Sequence, residues 1–382
     1  GLAARAAPSA CRPALRDTAT VSPSGGRPAL QGTGGVVAER FNAEDCDAMA
    51  SVLADLQGKR VVLVGETHDR YDHHLNQLAI VRGLHERGVD LALGMEYFQE
   101  PFQAHLDAYI AGEIGEKHLL RNTEYYERWR YDYRLYRPIL TYARDQGIPL
   151  IALNAPTELV RRVSDRGIEG LSPAERARLP ADLSAPDAAY RARLRPIFEL
   201  HGDSSEARFQ RFVDVQLLWD EHMARVARDY MLRNPDKTLV ILAGSGHVAY
   251  QDAIPGRLAR LTSASYAVVA TGQDRFGAHE AVDFVLAERD VSLPVPAKMG
   301  LLLSSAETGV TIKAIPPASP PAQAGLRQGD RIVNIDGQPI RGIDDVRLAL
   351  LDRVAGEQVR IEVERSESDE WDGRAERVLT LL

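Results

Sequence analysis

The chain has 382 residues, a formal net charge of −8 and only two cysteines, and these values exclude several classes of protein. A chain of this length can form one large core and a smaller module, so we expect two domains. Acidic and basic residues are interspersed without a long basic run, which argues against nucleic acid as a partner. No apolar run approaches the roughly 20 residues of a membrane-spanning helix. A single cysteine pair cannot form a disulfide framework.

Residues 1–35 are rich in Pro, Gly, Ser and Ala and show no apolar period, which predicts a disordered leader or tether. The first residues, GLAARAAPSAC, are similar to the end of a bacterial export signal, in which the terminal cysteine receives a lipid. On that interpretation Cys11 is a lipid anchor and is the chain's one attachment to a membrane. A disordered leader without a lipid is the alternative.

Residues 36–290 alternate short apolar runs with helical patterns, as the β-α units of a parallel sheet do. The runs are nearly continuous, which predicts strands covered on both faces. Strands are predicted at 61–64, 91–95, 150–153, 239–243 and 266–270, and helices at 73–87, 101–111, 135–146 and 208–233. Residues 155–206 are too long for an ordinary connection and predict a helical insertion near the ligand-binding edge. The predicted fold class is α/β, a largely parallel sheet flanked by helices.

A Pro-containing linker at 291–297 precedes a small β-rich module at 298–382. The module contains the ordered pattern AGL..GD.I..I.G, formed by Ala324, Gly325, Leu326, Gly329, Asp330, Ile332, Ile335 and Gly337. This module resembles a PDZ domain. The resemblance implies capture of a protein or peptide C-terminus by strand addition, with backbone N–H groups near Gly300, Leu301 and Leu302 binding the carboxylate. A module that only docks on the first domain is the alternative.

Polar side chains follow four of the predicted strands. Glu66 and His68 follow the first strand, Glu96 the second, Asn154 the third, and His247 follows a glycine-rich turn after the fourth. Because ligands bind beyond the carboxyl ends of parallel strands, we expect these side chains to meet in one crevice. The two glutamates and two histidines could hold zinc, manganese or iron, could act as acid and base without metal, or could be structural ion pairs.

Other residues are candidates for the lining of this crevice. His74 begins the helix after the first strand, and Gln216 and Asp220 share one face of the long predicted helix. The stretch YYERWRYDYRLYRP combines several tyrosines, including Tyr131, with four arginines. Phenolate oxygen is a ligand of ferric iron and guanidinium groups neutralise carboxylates, while a tyrosine-rich segment packed on the sheet is the alternative.

Five ordered motifs over roughly residues 50–260 resemble the ChaN-like branch of the Tiki/ChaN superfamily: VGETHD, GMEYF, LNAP, a helical Q..WD..MA and AGSGHV. The resemblance implies a parallel sheet flanked by helices and an iron-regulated envelope protein, periplasmic or associated with the outer membrane, that binds or takes up haem. Glu66, His68, Glu96 and His247 match the polar set that the superfamily shares. A tyrosine ligates haem in this branch, and the candidate haem-binding residues here are Tyr131, Tyr190 and His201.

Two functions follow from these patterns. The preferred one is haem binding in the bacterial envelope, with the PDZ-like module engaging protein or peptide partners. The alternative is a hydrolase of the Tiki or erythromycin-esterase type, in which Glu66 or Glu96 is the general base and His68 and His247 are metal ligands or proton shuttles. Haem is the expected cofactor in the first case, and a divalent metal is a candidate in the second.

Overall fold

The computed structural model describes residues 40–41, 46–181, 183, 185–200, 202, 205–272, 281–306, 309–367 and 371–382. The predicted leader and Cys11 lie outside these residues. The chain divides into two compact units. The first contains the described residues up to Gly115 together with Tyr131–Ser292, and the second contains Glu116–Arg130 and Leu293–Leu382. None of the helices in the described part of the chain combines the length and hydropathy needed to cross a bilayer.

A seven-stranded sheet forms the centre of the first unit, and all of its pairings are parallel. Its strands are β1 (Arg40–Phe41), β2 (Val61–Glu66), β3 (Leu91–Gln99), β4 (Leu150–Asn154), β5 (Thr238–Gly244), β6 (Tyr266–Thr271) and β7 (Phe284–Leu286). The spatial order is β1-β7-β6-β2-β5-β3-β4. Every residue of β2, β3, β4 and β5 is buried, so the continuous apolar runs mark strands covered on both faces, as predicted.

Helices cover the sheet. They are α1 (Cys46–Leu56), α2 (Tyr71–Glu86), α3 (Gln103–Ile110), α6 (Arg137–Gln146), α7 (Thr157–Arg166), α8 (Pro173–Arg176), α9 (Ala188–Glu199), α10 (Glu206–Arg233), α11 (Ser245–Val248) and α12 (Ile254–Leu261), while α4 (Glu116–Asn122) and α5 (Tyr125–Arg128) belong to the second unit. The predicted insertion is helical, because α7, α8 and α9 form within it. One face of α10 packs on β5 residues such as Leu239 and Ile241 in a shared apolar core.

The second unit contains an antiparallel sheet whose strands run in the order β13-β12-β10-β9-β8, with β11 paired to β10. The elements are β8 (Leu302–Ala306), β9 (Gly309–Ala314), α13 (Pro320–Gln323), β10 (Arg331–Ile335), β11 (Gln338–Pro339), α14 (Ile343–Leu350), β12 (Gln358–Glu367) and β13 (Trp371–Thr380). Alternate residues such as Val310, Ile312, Ile332 and Ile335 point into one apolar core. Strand β8 is an edge strand, paired only with β9 among the described strands.

Two features differ from the sequence prediction. Strand β3 continues to Gln99, four residues beyond the predicted end, because residues 96–99 stay buried and Gln99 pairs with Asn154 of β4. Glu96 therefore lies within the strand rather than after it. The second difference is the segment Glu116–Arg130, which was predicted within the first domain but belongs to the second compact unit.

Candidate functional site

The carboxyl ends of three neighbouring strands bring the predicted acids together. Glu66 at the end of β2 pairs in register with Gly244 at the end of β5, and β3 lies on the other side of β5. The two strand-end glycines leave no space for a side chain. A Cβ at Gly65 would lie 2.9 Å from Ser245 Oγ, and a Cβ at Gly244 would lie 2.8 Å from His68 Cε1. Because Gly244 has no side chain, the His68 ring can lie over the end of β5.

His68 forms an ion pair with Glu66. Its Nδ1 donates to Glu66 Oε1 at 2.6 Å, and the Glu66 carboxylate is buried at the strand end. Burial alone lowers the pKa of His68, but the hydrogen bond to Glu66 and the charges of Glu96, Glu66 and Asp69 outweigh it and raise the pKa to about 9. His68 is therefore an imidazolium at neutral pH.

His247 forms a second ion pair on the opposite side of Glu96. Its Nδ1 donates to Asp220 Oδ1 at 2.6 Å, and the other oxygen of Asp220 accepts from the Tyr190 hydroxyl at 2.8 Å. Burial lowers the pKa of His247, but the charges of Glu96 and Asp220 have the larger effect. The pKa of His247 is therefore raised above that of an ordinary histidine. Tyr190, Asp220 and His247 thus form a buried hydrogen-bonded chain that ends at the site.

Glu96 lies between the two ion pairs. One of its oxygens, Oε2, accepts from the Gly244 backbone N–H at 2.7 Å, and the other lies 3.5 Å from His247 Nε2. Glu66, His68 and Glu96 each offer one ligand atom, and these three atoms lie within 4.8 Å of one another. Imidazole nitrogen and carboxylate oxygen suit zinc, manganese or iron, so this group could hold such an ion if His68 loses its proton.

Tyrosines surround the His68 side of the site. The Tyr131 ring centroid lies 5.0 Å from that of His68, and 36 % of Tyr131 is exposed. Tyr136 is buried, and its hydroxyl donates to the His68 backbone carbonyl at 2.9 Å. His74 Nε2 donates to the same carbonyl at 3.1 Å. These two hydrogen bonds fix the loop that carries His68, while Tyr131 forms the solvent-facing side.

The other predicted site residues differ in how they relate to the site. Asn154 supports the site indirectly, because its Nδ2 donates to the Glu96 backbone carbonyl at 2.9 Å. Gln216 is half-buried one turn before Asp220, and no hydrogen bond among the described residues joins it to the site. Tyr190 is 1 % exposed, and burial and the charge of Asp220 raise the pKa of its phenol far above the usual range. His201 lies outside the described residues.

Sequence reasoning missed two contributors. Tyr136 was only one member of a tyrosine-rich run, and nothing in its local sequence distinguishes a residue that holds the His68 carbonyl. Arg257 was not considered. Its guanidinium lies 4.0 Å from Asp220 Oδ2 and 5.1 Å from the Tyr190 ring centroid, so a positive charge compensates the buried Asp220 carboxylate. The only available signal was the arginine in the helix that follows AGSGHV.

The predicted carboxylate-binding loop precedes the edge strand β8. Gly300 has φ +70°, in the left-handed region that glycine adopts without strain, and a Cβ there would lie 2.6 Å from Leu382 Cδ1. Leu301 is partly buried against the core, whereas Leu302 is 54 % exposed at the start of β8. The loop therefore turns its backbone tightly at Gly300, two residues before β8, the edge strand among the described strands of this sheet.

Comparisons with known proteins identify a family for each of two parts of the chain. The family model described as "Haem-binding uptake, Tiki superfamily, ChaN" matches residues 52–258, and the PDZ domain model matches residues 297–376. The solved structure "Cofacial heme binding to ChaN of Campylobacter jejuni" is similar in fold, with a TM-score of 0.51 and 20% sequence identity. That similarity covers 62% of this chain and 89% of the other.

Two curated proteins match parts of the chain. "Protein RETICULATA-RELATED 5, chloroplastic" of Arabidopsis thaliana is 33% identical over 135 residues, which are 33% of this chain and 18% of that protein. "Magnetosome formation protease MamE" of Paramagnetospirillum magneticum is 40% identical over 57 residues, 15% of this chain and 8% of that protein. The chain thus spans less than a fifth of each curated relative. Since the first family model covers more than half of the 382 residues, the chain belongs to the ChaN-like haem-binding uptake family of the Tiki superfamily and carries a PDZ domain.

Proposed function

We propose that this protein binds ferric haem at the crevice formed by the strand ends, with the Tyr131 phenolate as the iron ligand. The single observation that carries the proposal is the position of Tyr131. Its ring centroid lies 5.0 Å from that of His68, and 36 % of the residue is exposed, so part of this side chain faces solvent beside the acids at the strand ends. Tyr190, by contrast, is only 1 % exposed, so it is closed to a ligand that arrives from solvent.

The charges at the rim fit this ligand. Burial, followed by the charges of Glu66, Asp69 and Glu96, raises the pKa of the Tyr131 phenol, so the free protein keeps its proton. The same carboxylates attract a cation such as ferric iron. When haem is bound, the positive charge of its iron stabilises the deprotonated phenol oxygen of Tyr131. The residues present therefore suit a tyrosine-ligated ferric haem.

A haem titration tests this proposal. Purified protein mixed with ferric haem should give a stoichiometric absorbance change with a tyrosinate-to-iron charge-transfer band. Tyr131→Phe should abolish the band, whereas Tyr142→Phe, which removes a hydroxyl bonded to His85, should leave it unchanged. Loss of the band only in Tyr190→Phe would reject Tyr131 as the ligand. Absence of any spectral change in the unaltered protein would reject haem binding.

We also propose that the protein acts in haem or iron uptake in the bacterial envelope, in the periplasm or at the outer membrane, and that its amount rises when iron is scarce. The family match supports this assignment. Cys11 would carry a lipid in that setting. Cell fractionation of the source bacterium, grown with and without an iron chelator, tests location and regulation together. A cytosolic protein at constant amount would contradict both statements.

The PDZ domain is proposed to capture the C-terminus of a partner protein on β8. The support is the combination of the Gly300 turn with the position of the following strand β8, which pairs on one side only among the strands that the structure describes. A peptide array that presents free carboxyl termini tests the idea, with the same peptides amidated as the control. Binding that is insensitive to amidation would show that the carboxylate is not recognised.

Hydrolysis is the second candidate function, and one observation favours it. Two histidines, each paired with a buried carboxylate, flank Glu96, and a haem carrier does not obviously need such a set. In this case Glu96 or Glu66 would be the general base, with His68 and His247 holding a metal or moving protons. Peptide and ester libraries should be assayed with and without Mn²⁺ or Zn²⁺. Turnover that survives His247→Ala would exclude this assignment.

A further inference from the structure

A buried histidine outside the candidate site holds the backbone between Glu66 and His68. The Thr67 N–H donates to Nδ1 of His73 at 3.0 Å, and His73 is 1 % exposed in the first turn of α2. This N–H belongs to the peptide that joins Glu66 to Thr67, so the hydrogen bond fixes the direction in which the chain leaves β2. The bond thereby sets how the side chains of Glu66 and His68 face each other.

The hydrogen bond to Thr67 requires a neutral ring. A ring nitrogen accepts a hydrogen bond through its lone pair, so Nδ1 of His73 carries no proton while the Thr67 N–H is bound. The one proton of the neutral ring is therefore on Nε2. A second proton, at Nδ1, would turn the acceptor into a donor, and the Thr67 N–H would lose its partner.

The other nitrogen of the ring lies near an acid that does not yet bind it. Nε2 of His73 is buried without a hydrogen-bond partner among the described residues, and Glu288 Oε1 lies 3.5 Å away. The Glu288 side chain follows β7 and is 39 % exposed, so it has freedom to approach the ring. Gly272 leaves the space for it, because a Cβ there would lie 3.0 Å from Glu288 Oε1. A charged ring can therefore exchange Thr67 for Glu288.

Four charged side chains of the described residues act on the His73 ring. They are Asp72 and Arg70 at the start of α2, Glu66 at the end of β2, and Glu288 after β7. Burial lowers the pKa of His73 below its usual value of 6.5, and the attraction of the three acids does not reverse this effect. The position at the start of a helix also disfavours a positive charge. His73 is therefore neutral at pH 7.

We propose that His73 is a positioning residue of the candidate site and acts only while its ring is neutral, so that acid releases the Thr67 N–H and loosens the pairing of Glu66 with His68. The unfolded chain takes up this proton near pH 6.5, before the folded protein does. The contribution of the bond to stability is thus complete above pH 6.5 and declines as the pH falls below it. The effect on haem rests on the proposed function, whereas the positioning does not.

NMR spectroscopy on the full chain tests the positioning without a ligand. In the neutral protein the His73 ring should carry its proton on Nε2, and Nδ1 should show a through-hydrogen-bond coupling to the Thr67 amide nitrogen. This coupling should disappear as the His73 ring titrates, at a midpoint below pH 6.5. A proton on Nδ1 in the neutral ring, or a coupling that persists in the charged ring, would overturn the proposal.

Two substitutions of His73 measure the same bond by amide exchange. His73→Asn keeps an acceptor, because its Oδ1 is bonded to Cγ as Nδ1 is in histidine, but it cannot titrate. His73→Leu keeps none, so the Thr67 amide should exchange about 5-fold faster than in His73→Asn, the factor of one ordinary hydrogen bond. The unaltered protein should match His73→Asn above the His73 midpoint and exchange about 5-fold faster than it below that midpoint.

A histidine at the other end of the same helix supplies the control. His85→Asn alters a half-buried ring that is bonded to Tyr142, and its Thr67 amide should behave as in the unaltered protein. If His73→Leu does not fold, the comparison of the unaltered protein with His73→Asn decides. Equal protection of Thr67 in these two proteins below the midpoint would overturn the proposal.

A haem titration of the unaltered protein and His73→Asn separates this proposal from the proposed ligand. Protonation of the Tyr131 oxygen should weaken haem binding in both proteins as the pH falls. The unaltered protein should lose about 5-fold more affinity below the His73 midpoint, because Tyr131 lies beside the His68 ring. Absence of haem binding, with Thr67 exchange as expected, would reject the proposed function and support positioning by His73. Equal acid dependence in the two proteins would overturn control of the site by His73, even if haem binds at Tyr131.

Discussion

Replacing His68 should remove a decrease in the free energy of unfolding that the unaltered protein shows as pH rises. The pKa of His68 is raised from 6.5 to about 9 in the folded protein. Each pH unit between folded and unfolded pKa values corresponds to about 1.4 kcal/mol, so protonated His68 stabilises the fold by about 3 kcal/mol. The folded pKa is the higher one, so this contribution is complete below pH 6.5 and is lost as pH rises through 9.

Urea unfolding at pH 6 and pH 9.5, followed by fluorescence, measures this contribution. Trp219 is a suitable probe because its ring lies 6.1 Å from that of His247 in the first unit. The free energy of unfolding of the unaltered protein should decrease from pH 6 to pH 9.5. This decrease should be about 3 kcal/mol larger than the decrease in His68→Gln. Glu66→Gln should reduce the same difference, because the hydrogen bond to Glu66 is the largest contribution that raises this pKa.

Equal pH dependence in the unaltered protein and His68→Gln would refute the reasoning. NMR titration of the histidine ring protons supplies an independent check, because it reads the pKa of His68 without unfolding the protein. A value near 6.5 in the unaltered protein would show that the Glu66 pair does not form as described.

Three further predictions concern single substitutions. Asp220→Asn should lower the pKa of His247, read by NMR, because it removes the charged partner of Nδ1. Gly244→Ala should displace His68 and lower its pKa, because the new Cβ would lie 2.8 Å from Cε1 of that ring. Asp330→Asn should destabilise the PDZ domain by about 3 kcal/mol in thermal unfolding, since the Asp330 carboxylate is buried and is the charged partner of the partly buried Arg365.

Matched variants give each of these experiments a control. Asp229→Asn alters a partly buried ion pair with Arg225 on the helix that carries Asp220 and should leave the pKa of His247 unchanged. Gly246→Ala adds a Cβ that has no atom within 4 Å, so it should not affect His68. Asp352→Asn changes an exposed carboxylate of the PDZ domain and should cost less than 0.5 kcal/mol, roughly the usual effect of a surface substitution. If a control variant shows the same change as its test variant, the corresponding prediction is wrong.

The fold was predictable because the strands are buried on both faces and read as continuous apolar runs. The same reasoning placed Glu66 and Glu96 near one edge of the sheet, since parallel strands end together. It could not place Tyr136 against the His68 carbonyl, because that hydrogen bond joins residues 68 positions apart and leaves no local pattern. The segment Glu116–Arg130 is a stronger example. Its helices have ordinary sequences, and only long-range packing assigns Glu116–Arg130 to the PDZ unit.

The two-residue strand β1 has a practical consequence. Arg40 and Phe41 pair with Val285 and Leu286 of β7, at the outer margin of the seven-stranded sheet. A shortened protein that starts after residue 41 would leave the backbone groups of β7 open to pairing with a neighbouring molecule. Recombinant versions should therefore retain residues 40–41, so that β7 keeps its neighbour at this margin of the sheet.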